Sequence, residues 1–89
     1  MPEQIAVAGA YPNPFQTTTR IGYALAHRSA VELAVYDAMG RQVAVLVSAE
    51  QPAGRHEVVF EAGALPSGVY YYRLEAGAFR QVRPMLLVK

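Results

Sequence analysis

Three serines (Ser29, Ser48, Ser67), two histidines (His27, His56) and a single aspartate, Asp37, are the residues from which a hydrolytic triad would have to be assembled. A triad needs a nucleophile, a base within hydrogen-bond reach and a carboxylate that orients the base. Ser67 stands in a Pro66-Ser67-Gly68 turn and His27 in a strand connection, where polar side chains satisfy local backbone groups. Turn chemistry accounts for both, so no catalytic residue is expected. The carboxylates Glu32, Glu57, Glu61 and Glu75 fall at strand positions that read as solvent faces. A glycosidase pair would need two of them about 5 to 10 Å apart in a cleft, which a small filled sandwich does not provide. Two separated histidines and one aspartate give neither a zinc spacing nor an oxygen-rich calcium loop. With no cysteine, thiolate metal sites, disulfides and thiol nucleophiles are excluded. Gly63 and Gly68 are not followed by the Lys-Ser/Thr of a phosphate-cradling loop. The expectation is no metal and no cofactor.

The elements that would position any site repeat with period two in short blocks separated by Gly, Pro and Asn. Strands are predicted over 5–10, 18–26, 30–37, 42–47, 55–61, 69–76 and 79–89. Within the second, Thr19, Ile21, Tyr23 and Leu25 face one way and Thr18, Arg20, Gly22 and Ala24 the other. The third sets Val31, Leu33 and Val35 against Glu32, Ala34 and Tyr36, and the fifth aligns His56, Val58 and Phe60. Gly40 and Gly68 serve turns, and residues 48–54 read as a connection. Pro84 cannot donate to a sheet ladder, which makes the last strand an edge strand or a bulged one. Seven short strands with regular turn signals predict an all-β, immunoglobulin-like antiparallel sandwich.

Eighty-nine residues, 53% of them hydrophobic and 17% charged, suit one domain, 1–89, and exclude a disordered charged tail. The net charge of +1 is too weak to predict nucleic-acid binding. No apolar run reaches the ~20 residues of a membrane-spanning helix. Residues 1–4 have neither the basic start nor the apolar stretch of a signal peptide, and Met1 is compatible with a module cut from a longer protein.

The aromatic residues carry more information. In Gly68-Val69-Tyr70-Tyr71-Tyr72-Arg73-Leu74, Tyr70, Tyr72 and Leu74 share a face opposite Val69, Tyr71 and Arg73. Tyr70 resembles the tyrosine corner of sandwich folds, whose hydroxyl bonds back to upstream backbone. Tyr36 and Tyr71, if exposed, are the candidates for stacking on sugar rings, with an ordinary cross-strand pair as the alternative. Arg73, Arg80, Arg83 and the only lysine, Lys89, gather in the last two strands. Such a basic edge either blunts strand addition and self-association or docks a receptor.

Taken in order, Tyr11-Pro12-Asn13-Pro14-Phe15, Thr17-Thr18-Thr19-Arg20-Ile21, Val35-Tyr36-Asp37-Ala38-Met39-Gly40-Arg41-Gln42-Val43, Gly54-Arg55-His56, Leu65-Pro66-Ser67-Gly68-Val69-Tyr70 and Met85-Leu86-Leu87-Val88-Lys89 resemble the type A C-terminal sorting domain of type IX secretion. The related immunoglobulin-like domain of flagellar hook-capping proteins shares several of these motifs, but is disfavoured because the chain stops directly after the last strand. The resemblance implies a non-catalytic sandwich at the C-terminus of an exported protein, with a passenger preceding it. It also implies recognition by an outer-membrane translocon, and in many members removal by a sortase-like peptidase that links the passenger to anionic lipopolysaccharide. It places the protein at the cell surface or in the medium, reached through the periplasm. The recognition residues it implies map onto Arg83, Met85, Leu87 and Lys89. Two positions depart from the family pattern: Gln16-Thr17 replaces Asn-Pro after the first motif, and Pro84 stands where a basic residue usually precedes the methionine.

In physical terms, Pro12 and Pro14 stiffen the connection around Asn13, and Tyr11 and Phe15 are expected to plug the end of the sandwich. The function expected is a sorting and anchoring module. The alternative is a carbohydrate-binding or adhesive accessory module of a polysaccharide-degrading enzyme.

Overall fold

A computed structural model describes residues 5–89; the reading of residues 1–4 lies outside the described residues. The chain forms seven strands: β1 (Ala6–Tyr11), β2 (Thr18–Leu25), β3 (Ser29–Tyr36), β4 (Gln42–Gln51), β5 (Gly54–Glu61), β6 (Gly68–Ala76) and β7 (Phe79–Leu87). They build two antiparallel sheets, ordered β1-β2-β5 and β4-β3-β6-β7. This is the immunoglobulin-like sandwich that the alternation predicts.

The inner faces are those the sequence marks. Ile21, Tyr23 and Leu25 of one sheet meet Val31, Leu33, Val35, Tyr72, Leu74, Met85 and Leu87 of the other, all buried. Each such side chain contributes about 1.5–3 kcal/mol on burial, and in a chain with no cysteine this core takes the place of covalent staples. His56 lines the inner face at one end, its ring stacked on Tyr23 at 5.4 Å and its Nε2 donating to the Pro52 carbonyl at 2.9 Å. The Tyr23 hydroxyl reaches across to Gln51 Oε1 of β4. Burial pushes the Tyr23 phenol above its ordinary pKa, with the Gln51 contact opposing.

Two strand readings need correction. Residues 48–51, expected in a connection, continue β4, where they pair with Glu32 back to Ser29. The pattern is masked because β4 bulges twice against β3, between Leu33 and Ala34 and between Val35 and Tyr36, and each extra residue breaks the period of two. Ala34, expected on the solvent face, is fully buried; its small side chain lies on the outer face between its cross-strand partners Val45 and Arg73.

The β3–β4 turn is organised by Asp37. Its Oδ1 accepts from the Met39 and Arg41 amides, both at 2.9 Å, its Oδ2 accepts from Arg41 Nε at 3.0 Å, and Gly40 closes the turn at φ 86°. The Arg41 amide donating to the carboxylate holds Asp37 below the usual carboxylate range, the Arg41 guanidinium and the Met39 amide act in the same direction, and burial opposes them. A depressed folded-state value means that the carboxylate stabilises the fold above the unfolded-state value, about 4, and that this contribution disappears as pH falls through the lower folded value. Asp37→Asn is therefore expected to lower the urea midpoint at neutral pH, with the gap to the parent narrowing as pH falls below about 4. A gap that is independent of pH would refute the charge-based role.

Candidate functional site: the C-terminal edge and its clamp

β7 is the outer strand of its sheet, and β6 is the one strand it pairs with there. Strand alternation gives its residues two fates. Phe79, Gln81, Arg83, Met85 and Leu87 turn inward, whereas Arg80, Val82, Pro84 and Leu86 turn outward. The outward residues also direct their backbone groups away from β6, because the Leu86 N–H and carbonyl are bonded on the open side and antiparallel ladders alternate. Pro84 thus occupies a position whose missing N–H costs no bond to β6, which is how an edge strand tolerates proline.

The far half of that open edge is closed by the segment that precedes β2. Asn13 Oδ1 accepts from the Leu86 amide at 3.0 Å, and Asn13 Nδ2 approaches the Pro84 carbonyl at 3.5 Å. Phe15 then pairs in parallel with Leu87: its N–H donates to the Leu86 carbonyl and its carbonyl accepts from the Val88 N–H, each at 2.9 Å. Two prolines flank Asn13, both after cis peptide bonds, and the Pro12 carbonyl accepts from the buried Thr19 hydroxyl at 2.7 Å. The Phe15 ring is buried edge-on against Phe60, centroids 6.0 Å apart. Phe15 plugs the sandwich as expected, but Tyr11 does not. It is 79% exposed, since it closes β1 on the edge of its sheet while the chain turns inward only at Phe15.

The β5–β6 turn completes the site. The Tyr70 hydroxyl donates to the Pro66 carbonyl at 2.7 Å, the tyrosine corner predicted from Gly68-Val69-Tyr70, and Gly68 leads into β6 at φ 154°. Ser67 Oγ accepts from the Lys89 amide at 2.9 Å, and Lys89 Nζ donates to the Gly63 carbonyl at 2.8 Å. Ser67 is thus engaged in holding the last residue, while Ser29 donates to the His27 carbonyl. Among the described residues, no group of three His, Cys, Asp or Glu side chains is placed to hold a metal ion.

The four residues mapped as recognition positions are not equivalent. Met85 and Leu87 are core side chains, 2% and 0% exposed. Arg83 is half-buried between the sheets, its guanidinium near Gly9 as is the Tyr72 hydroxyl; burial raises the Tyr72 phenol above its ordinary pKa and the Arg83 guanidinium opposes that rise. Lys89 is exposed. Nor do the basic residues make a continuous outward edge. Alternation sends Arg80 and Arg83 to opposite faces, Arg80 and Arg73 both pair with Glu75 at 2.8 and 3.8 Å, and the Arg73 guanidinium lies 4.9 Å from the centroid of the Tyr36 ring. That contact covers one face of Tyr36, and Tyr36 and Tyr71 stand directly opposite each other on β3 and β6, the cross-strand pair given as the alternative. The carbohydrate-binding alternative finds no support.

What sequence reasoning missed is the clamp itself. Asn13 reads as a loop residue between prolines, and only the pairing of Phe15 with Leu87 brings it to β7, 71 positions from Pro84. The clamp also lies away from the point where the chain enters the fold. Gly9 sits opposite Arg83, and Ala6 pairs with Ala24 at the far end of β2, about 17 Å short of Tyr11 at a strand rise of ~3.4 Å per residue.

No helix among the described residues is long and apolar enough to cross a membrane. No curated protein matches the chain. The model of the secretion system C-terminal sorting domain matches residues 9–88, nearly the whole sequence and including Asn13, Phe15 and Ser67 of the clamp, so the chain belongs to the family of type IX secretion C-terminal sorting domains.

Proposed function

We propose that this domain directs a passenger joined ahead of β1 through the type IX secretion system, and that the machinery reads the clamped end of β7 with Arg83 and Lys89 as the charged contacts. Domains of this family act as sorting signals and mark proteins for export to the cell surface or extracellular space; they are generally non-catalytic. Membership implies the secretion machinery and an N-terminal passenger as partners. In the proposed reading, residues 1–89 form one such module at the C-terminus of a larger exported protein, and its removal by a sortase-like peptidase follows translocation.

The observation that carries the reading is the position of the clamp. The end of β7 and the two residues after it are held by Asn13, Phe15 and Ser67 at the end remote from Ala6, so a passenger attached ahead of β1 leaves them open. Met85 and Leu87 then act through the fold, as core residues that seat the strand, and Arg83 and Lys89 through their charge. The test is a periplasm-targeted reporter carrying residues 1–89 at its C-terminus in a bacterium with type IX secretion, beside the same fusion with Arg83→Ala and Lys89→Ala. The parent fusion is expected at the surface or in the medium, and the double variant, shown to be folded, retained in the periplasm. Retention of both fusions would remove the sorting reading, and export of both would remove the role of the two charges.

A further inference from the structure

The four edges of the two sheets are not equally protected. β1 is bulged between Val7 and Gly9, β4 is bulged twice, and β7 carries Pro84 and the clamp. β5 has none of these devices: its eight residues pair with β2 in unbroken register from Thr18↔Glu61 to Leu25↔Gly54. The Ala62 amide bonds the Thr17 carbonyl at 2.8 Å, which makes that pair a hydrogen-bonded one. By antiparallel alternation Phe60, Val58, His56 and Gly54 point their backbone groups at β2, and Glu61, Val59, Glu57 and Arg55 point theirs outward. Long regular edges of this kind accept another strand unless something prevents it.

The charges on this edge select the strand that fits. Arg55, Glu57, Val59 and Glu61 are all exposed, and among the described residues neither Arg55 nor Glu61 makes an ion pair. In an antiparallel self-pairing about a twofold axis at Val58, Arg55 lies opposite Glu61 of the second copy and Glu61 opposite its Arg55, while Glu57 and Val59 face each other. Every outward backbone group is then satisfied, four residue pairs exchanging two bonds each. Moving the register by two residues one way sets Glu57 against Glu57, and the other way sets Glu57 against Glu61. Like charges directly opposite on adjacent strands are destabilising.

We infer that the outer edge of β5 is a self-association surface, pairing two copies of this chain antiparallel through Arg55–Glu61 contacts into one continuous six-stranded sheet. β5 lies across the sandwich from the edge formed by β1 and β7, because Gly9 of β1 faces Arg83 and Tyr72. Pairing through β5 therefore leaves the clamp of each copy open, and a dimer presents two. The inference is independent of what reads the clamp.

Sedimentation of the 89-residue chain across concentrations up to millimolar tests it, together with Arg55→Glu, Glu61→Arg and the variant carrying both. The parent is expected to dimerise, more strongly at low ionic strength. Each single reversal places two like-charge pairs in the interface and is expected to weaken the dimer about tenfold or more, while the double variant restores it. An equimolar mixture of the two single variants is expected to form a heterodimer, because each then meets its complement. Both positions are exposed, and circular dichroism of each variant confirms that the fold is kept. A parent that stays monomeric at millimolar concentration, or a dimer indifferent to the reversals, would overturn the inference.

Discussion

Leu87→Ala is expected to remove about 2–5 kcal/mol of folding stability, the range for truncating a fully buried leucine. Leu87 is completely buried. It pairs with Gly68 on one side and Phe15 on the other, so the vacated space lies where three segments meet and collapses poorly. A domain of this length has a total stability of about 5–10 kcal/mol, and the substitution therefore takes a large share of it. Urea denaturation of the 89-residue chain measures the loss, and a change below about 1 kcal/mol would show that the site relaxes into the gap. The outcome also bears on sorting. On the proposed sorting role, a reporter fused to the Leu87→Ala domain is expected to lose export together with stability, whereas Lys89→Ala, at an exposed position, is expected to lose export with little change in the urea midpoint.

Phe15→Ala is expected to cost about 3–5 kcal/mol, although Phe15 belongs to no strand and stands in a loop rich in proline. The ring is 2% exposed and packs edge-on against Phe60, and it closes the core at the end where β7 finishes. Its backbone bonds to Leu86 and Val88 depend on the ring being seated, so loss of the plug also loosens the clamp. The variant with both Phe15→Ala and Leu87→Ala should lose less than the two single losses added, because neighbouring truncations share one cavity. Tyr11→Ala provides the contrast within the same motif. At 79% exposure it is expected within about 0.5 kcal/mol of the parent, and a loss comparable to that of Phe15 would contradict the placement of the two rings.

Both results turn on a distinction between motif and contact. In the sequence Tyr11 and Phe15 look alike, two aromatics around Pro-Asn-Pro, and Met85 and Leu87 look like positions to be read by a receptor. A side chain that is fully buried in the core is not also presented to a partner, and Met85 and Leu87 are so buried. Once Tyr70 and Tyr72 face inward, pairing of β7 with β6 places Met85, Arg83 and Leu87 on the same side, which leaves only the charged members of the mapped set with exposed or half-exposed heads. The same alternation separates Arg80 from Arg83 and turns an apparent basic strip into an Arg73–Glu75–Arg80 cluster on one face and a single arginine between the sheets.

The sequence by itself determined the sandwich, because alternation over seven short blocks specifies which face of each strand is apolar, and proline and glycine specify where the chain turns, whereas the part Asp37 plays in the β3–β4 turn emerges only from its contacts. It also determined the tyrosine corner and the family, since these depend on residues close together in the chain or on the order of motifs along it. Only the tertiary structure decided what Asn13 touches, how far β4 runs and which sheet edges stay open. Side-chain pattern carries no information about the partners of an edge's backbone groups. Those depend on which distant segment lies alongside, and bulges such as those of β4 shift the period without a mark in the residue types. The clamp on β7 and the open edge of β5 are therefore properties of the assembled sheets, set by register and by contacts across as many as 73 positions of chain.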